Sequence, residues 1–251
     1  MTILVTGATG QLGAPTLAAL RAADRDVRGL SSRGGDGVIA ANLLTGAGVE
    51  AALAGVETIV HLAASNSTKD IALTTKLTAA AKRAEVGHLA IVSIVGIESI
   101  PIPFYRDRVT IERIVAASGI PFTIQRATQF HSFVDNVYAV QRFSPLVFGP
   151  AARVQPIAVE EVASRMAELA VAGPQGRVTD VGGPQVLTNR ETYALWKAAT
   201  GGHRPGLSVR IPGKIFAAYD AGKNLVPGTP YGQGTFADYL ADRYAATRSV
   251  R

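Results

Sequence analysis

Thr6-Gly7-Ala8-Thr9-Gly10-Gln11-Leu12-Gly13 is the stretch that decides the fold. It follows a short β-branched and aliphatic run, Thr2 to Thr6. It opens an Ala- and Leu-rich segment, Gln11 to Ala23, that reads as a helix. Strand, glycine turn and helix in that order are the setting in which a glycine triplet binds phosphate. Gly7 permits the tight turn, Gly10 lets backbone approach a pyrophosphate, and Gly13 lets the helix pack close to the strand. Free N–H groups and a partial positive charge at the helix start then favour the phosphates of a dinucleotide. Gly7, Thr9, Gly10, Gln11, Leu12 and Gly13 are therefore the expected cofactor loop.

Working outward, strand-like and helix-like segments alternate. Val27 to Leu30, Thr58 to Leu62, Leu89 to Ser93 and Phe122 to Gln125 read as strands. Val49 to Ala54, Asp70 to Ala84 and Arg106 to Ala117 read as helices. The order predicts an α/β fold: a doubly wound parallel sheet of Rossmann type, with right-handed crossovers and the ligand outside the carboxyl ends of the strands. The pattern loosens after Phe143, where Pro145, Gly149, Pro150 and Pro156 mark loops. A helix is still expected from Val159 to Ala172 and a strand from Arg177 to Val181. Thr188 and Glu191 have the spacing of a capping box. The expected division is a dinucleotide-binding domain over 1–145 and a smaller substrate lobe over 146–251, interleaved with the end of the sheet.

Composition narrows the function. Of 251 residues, 47% are hydrophobic and none is Cys, so a sizeable core is available and disulfides and thiolate metal sites are excluded. The net charge is +6, but Lys and Arg are spread along the chain with no run longer than two, which argues against nucleic acid. Apolar runs end well short of the ~18 residues needed to span a bilayer. Met1 to Val5 runs straight into the glycine turn without a signal-peptide pattern, so the cytoplasm is the expected location. His61, His88 and His203 stand isolated, without metal-ligand spacing; no metal site and no role is expected for them.

The second strand chooses the cofactor. In NAD-specific sites it ends in an acid that holds the ribose 2′-hydroxyl. Here it ends Gly29-Leu30-Ser31-Ser32-Arg33. Ser32 and Arg33 suit a 2′-phosphate through charge-assisted hydrogen bonds, so NADP(H) is expected. Asp36 is close enough in sequence to keep NAD(H) open.

Glycines three apart, at 7, 10 and 13, resemble those of the extended and atypical short-chain dehydrogenase/reductases. From Met1 to about Gly202 the chain resembles the NmrA-like group of that superfamily. The likeness rests on Gly55 to Ala64, Ile91 to Gly96, Glu112 with Ala117 to Ala127, Gln129-Phe130-His131, Val159 to Ala163 and Gly182-Gly183-Pro184. It implies cofactor contacts at Ala63, Ala64 and Ser65, and an NADPH-dependent oxidoreductase passing hydride to a quinone, enone or carbonyl of a small hydrophobic metabolite. Some members of the group bind the cofactor and regulate instead, so a non-catalytic redox sensor is the alternative. A non-redox enzyme on the same fold, a dehydratase or cyclase, is the third. The expected partner is a small hydrophobic or aromatic metabolite, with a homodimer left open.

The superfamily uses a Ser and a Tyr followed four residues later by Lys. The candidate Ser is Ser93. Placing Glu112 on the family's helix glutamate puts Phe104 in the Tyr place and Arg108 in the Lys place. Phe104 has no proton to give, and Arg stays charged. Tyr105 stands three residues from Arg108, on the same helix face, where the cation would favour tyrosinate. Arg108, Tyr105 and Ser93 are thus the candidate catalytic residues, with Arg108 also reaching the cofactor ribose. Phe104, Gln129, Phe130 and His131 are the candidate substrate contacts. Phe133 and Tyr138 would suit an aromatic pocket but are more often core residues.

Overall fold

The computed structural model describes residues 1–65 and 67–248; residues 249–251, the end of the expected lobe, lie outside them. The elements in chain order begin with β1 (Ile3–Thr6), α1 (Gly13–Ala22), β2 (Val27–Ser31), β3 (Val38–Ala40), α2 (Val49–Leu53), β4 (Thr58–His61) and α3 (Lys69–Arg83). There follow β5 (His88–Ile94), α4 (Pro103–Ala117), β6 (Phe122–Ala127), α5 (His131–Ala139), β7 (Val147–Pro150), β8 (Arg153–Val154) and α6 (Val159–Ala172). The chain ends with β9 (Gly176–Arg177), β10 (Leu187–Thr188), α7 (Asn189–Thr200), β11 (Gly206–Val209), α8 (Lys214–Asp220) and α9 (Phe236–Arg248).

Two compact units form. The first is Met1–Ile94, Ile102–Arg126 and Val159–Thr179; the second is Val95–Pro101, Ala127–Ala158 and Asp180–Arg251. The single division expected at 145/146 differs from this. Residues 127–145 belong with the second unit, while α6 belongs with the first because it packs on α1, β4 and β5. Its buried Val162, Ala163, Met166, Leu169 and Ala170 recur at helical spacing and supply the face that does so.

In the first unit a seven-stranded parallel sheet runs in the order β3-β2-β1-β4-β5-β6-β9. The order reverses at β1, which pairs with β2 on one side and β4 on the other. That reversal opens a crevice at the carboxyl ends of β1 and β4. Buried strand residues alternate between the two faces. Leu4, Ile59, Leu89 and Ile91 join a core with Leu53, Leu77, Ile111 and Val115 from α2, α3 and α4. The neighbours Ile3, Val5, Val60 and Ala90 are also fully buried, so both faces are covered, as a parallel sheet requires.

Two expectations change in detail. Helix α4 starts at Pro103 instead of Arg106, because Pro at the first helical position has the right φ and lacks only an N–H that would be unsatisfied anyway. Phe104 and Tyr105 therefore lie on the helix. The strand expected at 177–181 is the two-residue β9, after which pairing with β6 survives as one isolated bridge, Ala127 to Val181.

The second unit is built from short strands and helices. β7 pairs with β11 in parallel and β8 with β10 in antiparallel. Its core gathers Val134, Tyr138, Trp196, Phe236 and Leu240 from α5, α7 and α9. The capping box at Thr188 and Glu191 is formed at the start of α7, and Gly201 closes that helix in the left-handed conformation. Among the described residues, no helix is long and apolar enough to cross a membrane.

Candidate cofactor and active site

The glycine loop leaves β1 at Gly7, whose φ is +67°, and a Cβ there would lie 2.7 Å from the backbone of Ala63. A Cβ on Gly13 would lie 2.0 Å from the Gly7 carbonyl oxygen. Both positions therefore accept glycine alone, and together they press the start of α1 against the strand end. Thr9, Gly10 and Gln11 are exposed on the rim, while Leu12 is buried and anchors the loop. A Cβ at Gly10 would come near one protein atom, the Gly7 carbonyl oxygen at 3.0 Å, so the loop's outer side is left to a ligand. No side chain caps the first turn of α1 and no acid lies in it. An uncapped helix start with backbone open above it fits a pyrophosphate.

At the end of β2 the Ser31 hydroxyl donates to the Gly34 carbonyl at 3.1 Å and shapes the turn. Ser32 and Arg33 follow, both exposed. Arg33 forms no hydrogen bond or ion pair with the described residues, so its guanidinium is available to an anion.

The end of β4 carries a polar relay that the sequence reading passed over. Thr6 Oγ accepts from the Leu62 and Ala63 amides, each at 3.3 Å, and lies 2.7 Å from His61 Nδ1. The hydroxyl proton is left for Nδ1, which places the ring proton on Nε2. Nε2 lies 3.3 Å from Thr74 Oγ, and Thr74 donates to the Asp70 carbonyl at 2.8 Å. Burial holds His61 down to a pKa of about 4; Asp70 pulls the other way and Arg108 adds to the lowering. His61 is thus a neutral strut between two strand ends and α3. Its isolation from other metal ligands hid this role, although a His closing an apolar strand was the available signal.

Asp70 is 1% exposed in the first turn of α3. Its Oδ1 accepts from the Ser65 amide at 2.7 Å and the Ser65 hydroxyl at 2.6 Å, and its Oδ2 accepts from Arg108 Nη2. The Arg108 guanidinium also lies over the Phe104 ring, 4.7 Å from its centroid. Tyr105 is buried, its ring 6.3 Å from that of Phe104. On α4 the fold sets Arg108 over Phe104 and the Tyr105 ring beside that of Phe104, and Ser65 is joined to Arg108 through Asp70. Asp70 itself was not anticipated.

Ser93, one residue before the end of β5, is 6% exposed, and its hydroxyl has no hydrogen-bond partner among the described residues. Glu112 serves the scaffold: Arg126 binds it with Nε at 2.8 Å and Nη2 at 2.6 Å, a buried two-pronged pair that ties α4 to β6.

In the second unit, Gln129 and Phe130 are half-buried ahead of α5. Both amide atoms of Gln129 are buried without a partner among the described residues. His131, the first residue of α5, is buried against the stacked rings of Phe236 and Tyr239, at 5.9 and 5.4 Å. Phe133 is 61% exposed, whereas Tyr138 is a core residue bonded to Asn189 and Thr192. Asp135 is fully buried and accepts from Trp196 Nε1 at 2.9 Å, Tyr244 at 2.7 Å, Tyr239 at 3.3 Å and Arg243 Nε at 2.9 Å. Burial, reinforced by that carboxylate, raises Tyr239 to about 12. Among the described residues no group of three or more His, Cys, Asp or Glu is placed to hold a metal.

Sheet order and glycine loop define a Rossmann-type α/β fold. The model of the NmrA-like family matches residues 1–149, more than half of the chain, and the chain belongs to that family. No curated protein sequence matches it. Solved structures do. An NADPH-dependent quinone oxidoreductase from Escherichia coli has a TM-score of 0.76 at 19% identity, covering 96% of this chain and 99% of that one. Triphenylmethane reductase from Citrobacter sp., complexed with NADP(H), has a TM-score of 0.72 at 21% identity, covering 97% and 100%. A nucleoside-diphosphate-sugar epimerase from Staphylococcus aureus has a TM-score of 0.77 at 18% identity, covering 96% and 99%. At these identities the likeness is one of fold.

Proposed function

We propose that this protein is an NADPH-dependent oxidoreductase that reduces a quinone, enone or carbonyl of a small hydrophobic metabolite. The observation that carries the reading is the pairing, in one unit, of an open glycine cradle at the start of α1 with an unengaged Arg33 at the end of β2. The cradle fits a pyrophosphate and the cation fits a 2′-phosphate. Family membership supports this, as do neighbours described as an NADPH-dependent quinone oxidoreductase and a reductase complexed with NADP(H). Another neighbour is described in complex with NAD and UDP-glucose, so NAD(H) stays the second cofactor.

Gly7 to Gly13 would hold the pyrophosphate, Ser32 and Arg33 the 2′-phosphate, and Ala63, Ala64 and Ser65 the part of the cofactor beyond β4. The bound nicotinamide supplies the hydride. Arg108 offers a fixed positive charge to ribose hydroxyls or to a developing oxyanion. Ser93 and Tyr105 are assigned as hydrogen-bond donors. Phe104, Gln129, Phe130 and His131 are assigned to the acceptor, with the unpartnered Gln129 amide as its polar contact.

A redox sensor is the second reading, favoured by Phe104 in the position of the proton donor and by the engagement of Arg108 with Asp70. Mixing the protein with NADPH and a panel of quinones, enones and aldehydes separates the two. Steady loss of reduced-nicotinamide absorbance supports the enzyme. Tight NADPH binding without turnover on any acceptor supports the sensor.

A further inference from the structure

We propose that Asp70 is a positioning residue of the cofactor site, holding the 63–65 loop and the Arg108 guanidinium in one fixed relation; this rests on reading the first unit as the NADP(H) domain. The carboxylate divides its work. Oδ1 takes both the amide and the hydroxyl of Ser65, and Oδ2 takes Arg108. The backbone carbonyl of the same residue takes the Thr74 hydroxyl, which continues through His61 to Thr6, the residue before Gly7. One side chain and its own carbonyl thus tie together three of the segments that carry the first unit's candidate contacts: the glycine loop, the loop after β4, and α4.

A buried carboxylate beside the site of a polyanionic ligand is unfavourable unless it is neutralised, and Arg108 neutralises it. Burial alone pushes the Asp70 carboxyl up, but the Ser65 hydroxyl and amide and the Arg108 guanidinium outweigh it and hold it below the ordinary value. Its place in the first turn of α3 adds the positive end of the helix dipole. Arg108 is fixed in return. Asp70 holds its Nη2 and the Phe104 ring lies against its face, while its Nε is buried with no partner among the described residues.

Asp70→Asn keeps an oxygen for Ser65 and removes the charge facing Arg108. NADPH titration calorimetry on the parent, Asp70→Asn, Arg108→Gln and the double variant, with a thermal melt of each, tests the proposal. Each single change should weaken NADPH by about tenfold, and the double variant should bind no worse than Arg108→Gln, because Asp70 acts through Arg108. Parent-like affinity in Asp70→Asn, or losses that multiply in the double variant, would overturn it. If Asp70→Asn does not fold, Arg108→Lys decides. The ammonium keeps the charge but not the fork, so affinity should fall while the melt stays near the parent's; unchanged affinity overturns the proposal. A parent that binds no NADPH overturns the functional reading and this inference with it. A parent that binds NADPH, with variants that bind equally well, overturns this inference alone.

Discussion

The hydroxyl of Thr6 lies 2.7 Å from Nδ1 of His61, and the two residues pair directly across β1 and β4, where the strand order reverses. The pairing works with a neutral ring, since Nδ1 must accept. Protonation at Nδ1 would set two donors against each other beneath the glycine loop.

A pH dependence follows. The folded pKa of about 4 lies below the ordinary 6.5, so the unfolded chain binds the proton more readily. The stability this creates is complete above pH 6.5 and is lost as pH falls toward 4. Between pH ~7 and ~5 the loss from this group is about 2 kcal/mol. Chemical denaturation across that range should show a steeper fall for the parent than for His61→Asn. Equal slopes would mean that His61 does not titrate in this way.

Arg33→Ala should weaken NADPH by about 1.5–3 kcal/mol, the range for hydrogen bonds to a charged group, and leave NADH nearly unchanged. Calorimetry with both cofactors reads it. Equal losses for both, or a parent that prefers NADH, would refute the assignment of the 2′-phosphate.

On α4, Arg108→Ala should lose more turnover than Tyr105→Phe. Removal of a positioned donor to a developing oxyanion typically costs ~10²–10³ in rate, and here the Asp70 charge is also left unpaired. Loss of one phenolic proton should cost less if Phe104, as the resemblance implies, takes the superfamily's Tyr place. Steady-state kinetics on one accepted substrate decide the order; an inactive Tyr105→Phe beside a nearly intact Arg108→Ala would make Tyr105 the proton donor.

Asp135 concentrates four donors from α7 and α9 on one buried carboxylate. Asp135→Ala strands Trp196 Nε1 and two tyrosine hydroxyls, a cost of about 3 kcal/mol or more. The chain's single Trp is the residue that loses its partner, so urea unfolding followed by Trp fluorescence reports on the event directly. A midpoint equal to the parent's would show the cluster to be incidental.

The first unit was legible in the sequence because its signals are local and repeat. The glycine spacing, the apolar runs of β1, β4 and β5 and the amphipathic face of α6 each name their element without help from elsewhere. Even there β3 went unseen, since Val38 to Ala40 is three residues long and mostly exposed. The second unit was much less legible. Apart from the capping box at Thr188, its pieces are two- to four-residue strands and helices joined by Gly- and Pro-rich turns, and they hold together through distant partners such as Asp135 with Tyr244. The site divides in the same way. The need for Gly7 and Gly13 was readable from the glycine spacing, whereas the hydrogen bonds of Asp70 and His61 arise only when the fold sets α3 and α4 beside the ends of β1 and β4.

Hydride transfer from NADPH is measured most directly by following deuterium from NADPH labelled in turn on each face of the nicotinamide C4 into the product of an accepted enone or aldehyde. NADPH should be consumed in step with acceptor reduction, with the label on carbon in the product from one of the two C4 faces and slower turnover with NADH. NADPH that binds but is not consumed with any acceptor, or product that forms without label from either C4 face, would contradict hydride transfer.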